Sequence, residues 1–205
     1  MPAIIINGPA GRMEARYTHS KIPNAPLALI LHPAPDRGGS MNHRIPYSIY
    51  QAMVARGFST LRFNFRGVGK SSGEFGHGVG ELDDLRAVVE WVQQNYAPKE
   101  LWLAGFSFGS YVALRGHEML GATRLILIAP PMERFDFSQL YLSKTPTIVV
   151  QGAKDDVVSP DAVYQWVSSQ MNAPNFIWMP DADHFFHGKL TELREELKKS
   201  WATLS

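Results

Sequence analysis

Residues 105–109 read Gly-Phe-Ser-Phe-Gly, and this placing of small residues around Ser107 is the part of the sequence best equipped for chemistry. The run Leu101-Trp102-Leu103-Ala104 before it is apolar, as a buried strand requires, and a helix is expected to leave from Ser107. A serine on so sharp a strand-to-helix turn needs small residues two before and two after it. Its Oγ is then held above the strand ends, with a helix N-terminus behind it. Such a serine becomes a nucleophile once a base takes its proton, so the chemistry indicated is acyl transfer through a covalent intermediate. The five-residue pattern alone is weak, since a plain turn whose serine caps a helix would also satisfy it. The strand before and the helix after favour the nucleophile.

A serine nucleophile needs a base, and the base needs an acid to orient it. Where the serine sits on this kind of turn, the chain order is serine, acid, histidine. Thr147-Ile148-Val149-Val150 reads as a strand, and the turn leaving it offers Asp155 and Asp156. Aspartates are common in turns for local reasons, so the pattern alone leaves both open. After the expected last strand, Phe176 to Met179, comes Asp181-Ala182-Asp183-His184-Phe185-Phe186-His187. His184 follows the strand first. His187 is expected to enter the final helix and to be structural. His184 would take the Ser107 proton as the serine attacks a carbonyl, the acid would hold the imidazole tautomer, and water would release the acyl group.

The oxyanion that forms needs two backbone N–H donors. One belongs to the residue after the nucleophile, Phe108. The other should come from the loop after strand Leu27 to Leu31, which reads His32-Pro33-Ala34-Pro35. Prolines carry no N–H, so Ala34 is the donor that remains. His32 reads as a residue that pins this loop. Phe106, Phe108, Phe185 and Phe186 suggest apolar walls near the serine, with Ala34 and Met132 shaping the pocket.

The elements that would position these groups alternate. Ile4 to Ile6 and Met13 to Tyr17 flank a Gly-Pro-Ala-Gly turn and predict an opening hairpin. A continuous apolar run predicts a strand buried on both faces at Leu27 to Leu31, and further strands are expected at Thr60 to Phe65, Leu101 to Ala104, Leu125 to Ile128, Thr147 to Val150 and Phe176 to Met179. Helices are expected from Asn42 to Arg56, Glu81 to Tyr96, after Ser107, and after Ser159-Pro160-Asp161, an N-cap followed by proline. A last helix carries Leu190, Leu193, Leu197, Trp201 and Leu204. This alternation implies a mostly parallel central sheet with helices on both faces. The segment between Ile128 and Thr147 is too short for a large lid, and no linker divides residues 1–205, so a single domain is expected.

Other signals exclude rather than suggest. With no cysteine, a disulfide framework, a thiolate metal site and a cysteine nucleophile are ruled out. A net charge of +1 without a basic tract gives no argument for nucleic acid. The N-terminus lacks a signal-peptide pattern and no run is long enough to span a membrane, so a cytoplasmic location is expected. Seven histidines without metal-site spacing predict no metal and no cofactor. Gly67-Val68-Gly69-Lys70-Ser71 imitates a phosphate loop, but Asn64 stands where its first glycine belongs. Arg66 is expected either to pair with Glu81 or Asp84 or to stand alone in solvent. Glu195 and Lys199 are a pair four apart on the last helix. The expected partner is a small-molecule acyl substrate, with a homodimer as the one association considered.

The stretches His32-Pro33-Ala34-Pro35, Gly38-Gly39-Ser40-Met41-Asn42, Arg62-Phe63-Asn64-Phe65-Arg66-Gly67-Val68-Gly69, Gly105-Phe106-Ser107-Phe108-Gly109 and Asp183-His184-Phe185-Phe186-His187-Gly188 run through nearly the whole chain. In this order they resemble a bacterial group of small α/β-hydrolases related to dienelactone hydrolases and acyl peptidases. The resemblance implies a lidless α/β-hydrolase fold and a triad of Ser107, Asp155 and His184, since Asp155 takes the Gly-x-x-Asp position and His184 the motif histidine. It also marks a departure: Ala34 stands where the group often carries a larger side chain. No particular substrate follows from it. The simplest reading is an ester hydrolase, with thioester, amide or peptide, and lactone cleavage as alternatives, and a non-catalytic binding protein on the same scaffold as the competitor from another class.

Overall fold

Residues 3–201 are described in a computed structural model. Leu204, assigned above to the last helix, lies outside them. The opening hairpin forms as expected. β1 (Ala3–Gly8) pairs antiparallel with β2 (Gly11–Thr18), from Ala3 opposite Arg16 to Gly8 opposite Gly11. Strands and helices then alternate: β3 (Leu27–Leu31), α1 (Arg44–Ala55), β4 (Ser59–Phe63), α2 (Val79–Asn95), β5 (Leu101–Phe106), α3 (Phe108–Gly116), β6 (Arg124–Ile128), β7 (Thr147–Gly152), α4 (Pro160–Ser168), β8 (Asn175–Met179) and α5 (Leu190–Trp201).

The described residues form one eight-stranded sheet in the order β1-β2-β4-β3-β5-β6-β7-β8. β2 pairs antiparallel with β1 and β4, and the pairings from β4 through β8 are parallel. The central strands are apolar throughout because both faces are covered. Leu27, Leu29 and Leu31 of β3 join Leu85 of α2, Val112 of α3 and Val163 of α4 in one core. Ala28 and Ile30, pointing the other way, join Ile45 of α1 and Leu193 of α5 in a second.

Chain order reverses beside β3, which has β4 on one side and β5 on the other. Loops leaving β3 and β5 therefore diverge and leave a crevice over their C-terminal ends, the usual place for a ligand in an open α/β sheet. No helix or strand lies between β6 and β7, and that segment is tied down on α4. Leu142 donates its N–H to Gln170 Oε1 at 2.7 Å, and Trp166 Nε1 donates to Leu140 O at 3.1 Å. No lid is inserted there. Nor is any helix of the described residues long and apolar enough to cross a membrane.

Two helix starts repay attention. Ser159 Oγ accepts from Ala162 N–H at 3.2 Å, so α4 opens as its Ser-Pro-Asp sequence predicts. α1 opens at Arg44 rather than Asn42, because His43 takes the N-cap and its Nδ1 accepts from Ile45 N–H. Sequence alone gave His43 no role.

The false phosphate loop is a packed structural loop with no helix following it. Ser71 Oγ donates to Asn64 O and accepts from Glu14 N–H, while Glu14 Oε2 accepts from Lys70 N–H. Arg66 pairs with Asp84 by a fork of Nε and Nη2 contacts at 2.8–3.1 Å, and Asp84 also accepts from the Arg66 N–H. Glu81 does a different job, accepting from Gly76 and Gly78 N–H at the start of α2. On α5 the exposed pairs are Glu195–Lys198 and Glu196–Lys199, three apart, instead of Glu195 with Lys199.

The Asp84 side chain is fully buried, whereas that of Arg66 keeps 17% of its surface. Arg66→Met leaves the carboxylate buried without its cation. The expected loss of stability is about 3 kcal/mol, measured by urea unfolding at neutral pH.

Candidate active site

β5 ends at Phe106 and α3 starts at Phe108, so the reversal of the chain falls on Ser107, at φ 50° and ψ −119°. A non-glycine residue rarely adopts such a backbone, and it persists only where its surroundings over-determine it. Here they do. Ser107 N–H donates to Ile128 O on β6 at 2.8 Å, and its carbonyl accepts from both the N–H and the Oγ of Ser110. Glycine is required on either side by close approach: a Cβ on Gly105 would lie 2.3 Å from the Gly109 carbonyl, and one on Gly109 would lie 2.4 Å from Leu31 O.

The turn after β7 and the loop after β8 are zipped together by main-chain bonds. Ala153 N–H donates to Met179 O, and Lys154 N–H donates to Ala182 O, each at 2.9 Å. That fastening brings Asp155 to His184, whose Nδ1 lies 2.9 Å from Asp155 Oδ2. Both residues are buried. Asp155 Oδ1 accepts from Val157 N–H at 2.9 Å and Val158 N–H at 2.8 Å, while Gln151 Nε2 donates to Oδ2 at 3.0 Å. Burial works against the charge, but the bond to His184 and the two backbone donors outweigh it and hold the carboxyl below the usual range. An ionised Asp155 can only accept, so Nδ1 carries the proton, and in the neutral imidazole the lone pair is then on Nε2. Asp156, its neighbour, is exposed. His187 sits before α5 rather than in it, between Asp183 and Arg44.

Ser107, His184 and Ala34 line one cavity of about 580 Å³. Its apolar wall is built by Pro33, Pro131, Val157, Val158 and Phe185, and Arg37, Glu133 and Arg134 supply its charge. Of the four phenylalanines expected to wall the pocket, Phe185 alone lines it. Phe106, Phe108 and Phe186 are fully buried in the two cores, carried away from the opening by β5, by α3 and by the turn before α5 respectively. Met132 packs against the core from a partly buried position and does not line the cavity.

Phe108 is the first residue of α3, so its N–H belongs to the helix-terminal donors that have no intrahelical partner. The Ala34 loop is fixed from two sides. His32 Nε2 accepts from Phe65 N–H at 3.0 Å, which leaves Nδ1 as the protonated nitrogen, 2.6 Å from Pro33 O. Burial is the main reason that the His32 pKa falls to about 4, against the Pro33 bond that favours its charged form. Gly39 closes the other side, its N–H donating to Ala34 O at 3.0 Å. A Cβ on Gly39 would meet Pro33 O at 2.0 Å.

Two residues near the site were missed from sequence. Gln151, which bonds Asp155, had a readable signal: a polar side chain continuing a buried apolar strand. His43 had none. It lines the cavity, stacks on Phe106 with ring centroids 5.5 Å apart, and is held neutral, with its pKa lowered to about 4 by burial and by Arg44 and His184. No cluster of potential metal ligands occurs among the described residues.

An open, doubly covered sheet with a serine elbow at its crevice and no inserted lid defines a lidless α/β serine hydrolase. Residues 38–142 match the family model described as serine aminopeptidase, S33, and the chain belongs to that family of α/β hydrolases. It is 39% identical to the uncharacterized protein RP471 of Rickettsia prowazekii over its whole length and 90% of that protein. Among solved structures it is similar to XC6422 of Xanthomonas campestris, an α/β serine hydrolase without lid. That pair is 42% identical, with a TM-score of 0.91 over 97% of this chain and 92% of the other. An α/β serine hydrolase homologue from Coxiella burnetii is 39% identical, with a TM-score of 0.92 over 97% and 96% of the two chains.

Because the folded His32 pKa is depressed, the unfolded chain binds the extra proton between its ordinary value of 6.5 and about 4. Stability is therefore full above that window and falls as pH drops through it. From about pH 7 to pH 5 the wild type should lose about 2 kcal/mol more than His32→Gln, which does not titrate. Paired urea melts at the two pH values check this.

Proposed function

We propose that this protein hydrolyses small carboxylic esters through an acyl-enzyme, with Ser107 as nucleophile, His184 as general base and Asp155 as the carboxylate that orients it. The observation that carries this reading is the strained Ser107 backbone, held at the floor of a cavity that His184 also lines. A serine needed only as a helix cap gains nothing from that strain, and its side chain makes no capping hydrogen bond.

His184 Nε2 takes the Ser107 proton as Oγ attacks the carbonyl carbon, and Asp155 stabilises the imidazolium that results. The negative charge moves to the carbonyl oxygen, where the N–H groups of Phe108 and Ala34 are the donors. Collapse of the tetrahedral species expels the alcohol, which takes the proton from His184. Water, deprotonated by the same histidine, then releases the acid. Gln151 supports the geometry by holding Asp155 Oδ2. The same steps would serve a thioester, amide or lactone; an ester asks least of the leaving group.

A fluorophosphonate probe should label Ser107 and no other residue of the folded wild-type protein, as read by peptide mass spectrometry. Labelling should vanish in Ser107→Ala and slow by about 10³-fold or more in His184→Ala. A folded wild type that resists the probe would overturn the reading in favour of a non-catalytic binding protein.

Ala34 offers a separate test of the backbone donor. Its φ of −52° suits proline, so Ala34→Pro removes the N–H with little change of backbone. Turnover of a 4-nitrophenyl ester should fall by about 10²-fold, with circular dichroism unchanged.

A further inference from the structure

The charged groups around the mouth of the Ser107 cavity each have a side-chain or main-chain partner, with one exception. Arg134 Nη2 pairs with Asp36 Oδ2, which bridges the segment after β6 to the 3-10 turn Pro35–Arg37. Arg134 also lies over the Phe135 ring. Glu133 Oε2 accepts from Ser159 N–H at 3.2 Å, at the N-terminus of α4 where a negative charge is favoured. Arg44, nearby, donates to His187 Nε2 and lies over the Phe185 ring. His43 is held neutral by burial and by Arg44. Arg37 lines the same cavity and makes no side-chain hydrogen bond, ion pair or ring contact among the described residues. Its neighbour Asp36, which could have neutralised it, is turned to Arg134 instead.

The backbone under Arg37 is rigid. Its N–H donates to Ala34 O at 3.1 Å, the same carbonyl that accepts from Gly39 N–H, and Gly38 N–H donates to Pro35 O at 3.2 Å. The guanidinium is thus carried by the turn that also presents the Ala34 N–H, three residues away. A substrate whose carbonyl oxygen is on that N–H extends along a cavity walled by proline, valine and phenylalanine and rimmed by one unmatched cation. An apolar wall ending in a planar, bidentate donor suits a molecule with a short apolar body and an anionic end.

We infer that Arg37 is a specificity-determining residue that binds an anionic group of the substrate, a carboxylate or a phosphate, held at a distance from the ester that Ser107 attacks. The inference rests on the hydrolase reading above for the ester, but the anion site itself requires no turnover. It makes the natural substrate a small acidic ester rather than a neutral one.

The test uses two esters with the same leaving group and length: 4-nitrophenyl hydrogen glutarate, and its methyl ester, in which the charge is capped. Wild-type kcat/KM should favour the free acid by about tenfold, mainly through KM, as expected of one charge-assisted contact. That ratio should fall to about one in Arg37→Gln, return in part in Arg37→Lys, and drop below one in Arg37→Glu. Raising the salt concentration should shrink the wild-type ratio and leave the Arg37→Gln ratio unchanged. A wild-type ratio of one or less, or the same preference in Arg37→Gln, overturns the inference.

Equilibrium binding of glutarate and of inorganic phosphate, measured by calorimetry on wild type and Arg37→Gln, separates the two anion chemistries. It also separates this inference from the hydrolase reading. Anion binding that depends on Arg37, in a protein that no fluorophosphonate labels, would retain the anion site and reject the hydrolase. Labelling of Ser107 with neither anion bound in an Arg37-dependent way would do the reverse.

Discussion

The helix that follows β5 can begin at Phe108 only because Ser107 turns the backbone through φ 50° and ψ −119°, and much of the site's geometry follows from that turn. A strand and a helix joined through one residue press their backbones together. Gly105 and Gly109 are the residues that permit the contact, and Gly109 brings α3 against the end of β3. The loop leaving β3 then has no room to wander. His32, Pro33 and Gly39 hold it beside the elbow, and Ala34 lines the same cavity as Ser107. The strain is offset by ordinary bonds: Ser107 to β6 in one direction, Ser110 back to Ser107 in the other.

Around that turn, desolvation sorts the ionisable groups by what surrounds them. His32 and His43 are both pushed toward the neutral form by burial, so neither competes with a catalytic base for a role as a cation near neutral pH. Asp155 faces the same penalty and keeps its charge, because two backbone N–H groups, Gln151 and His184 all donate to it. A carboxylate so supplied can fix an imidazole tautomer and stabilise its protonated form. At the rim the balance is different. Arg134 pairs with Asp36, Glu133 takes the Ser159 N–H and Arg44 binds His187, and Arg37 is left over.

Similarity to lidless serine hydrolases agrees with what fills the space above the crevice. The stretch from β6 to β7, where an inserted domain could sit, is used up in reaching α4 and contributes Pro131, Glu133 and Arg134 to the cavity wall. An opening lined this way admits a small molecule directly.

Much of this was legible in the sequence, and for identifiable reasons. Local rules with short range fix the hairpin, the strand positions, the N-cap at Ser159 and the glycine pattern around Ser107, since each depends on residues within a few positions of one another. Leu27–Leu31 reads as a doubly buried strand because no polar residue interrupts it. Chain order, together with family resemblance, pointed to His184 and Asp155, and these are the two side chains that the structure brings within 2.9 Å of each other. The choice between Asp84 and Glu81 as partner of Arg66 was not available, because both lie on the same turn of α2 and only the docking of that helix decides. The same is true of the phenylalanines. Phe106, Phe108, Phe185 and Phe186 look alike as a set, and the direction each ring takes depends on how strand, helix and turn are packed. His43 and Arg37 belong to this second class as well. The role of each is set by which charges and rings lie across the cavity, on segments distant in sequence, and such encounters are fixed by the tertiary fold because no local pattern encodes them.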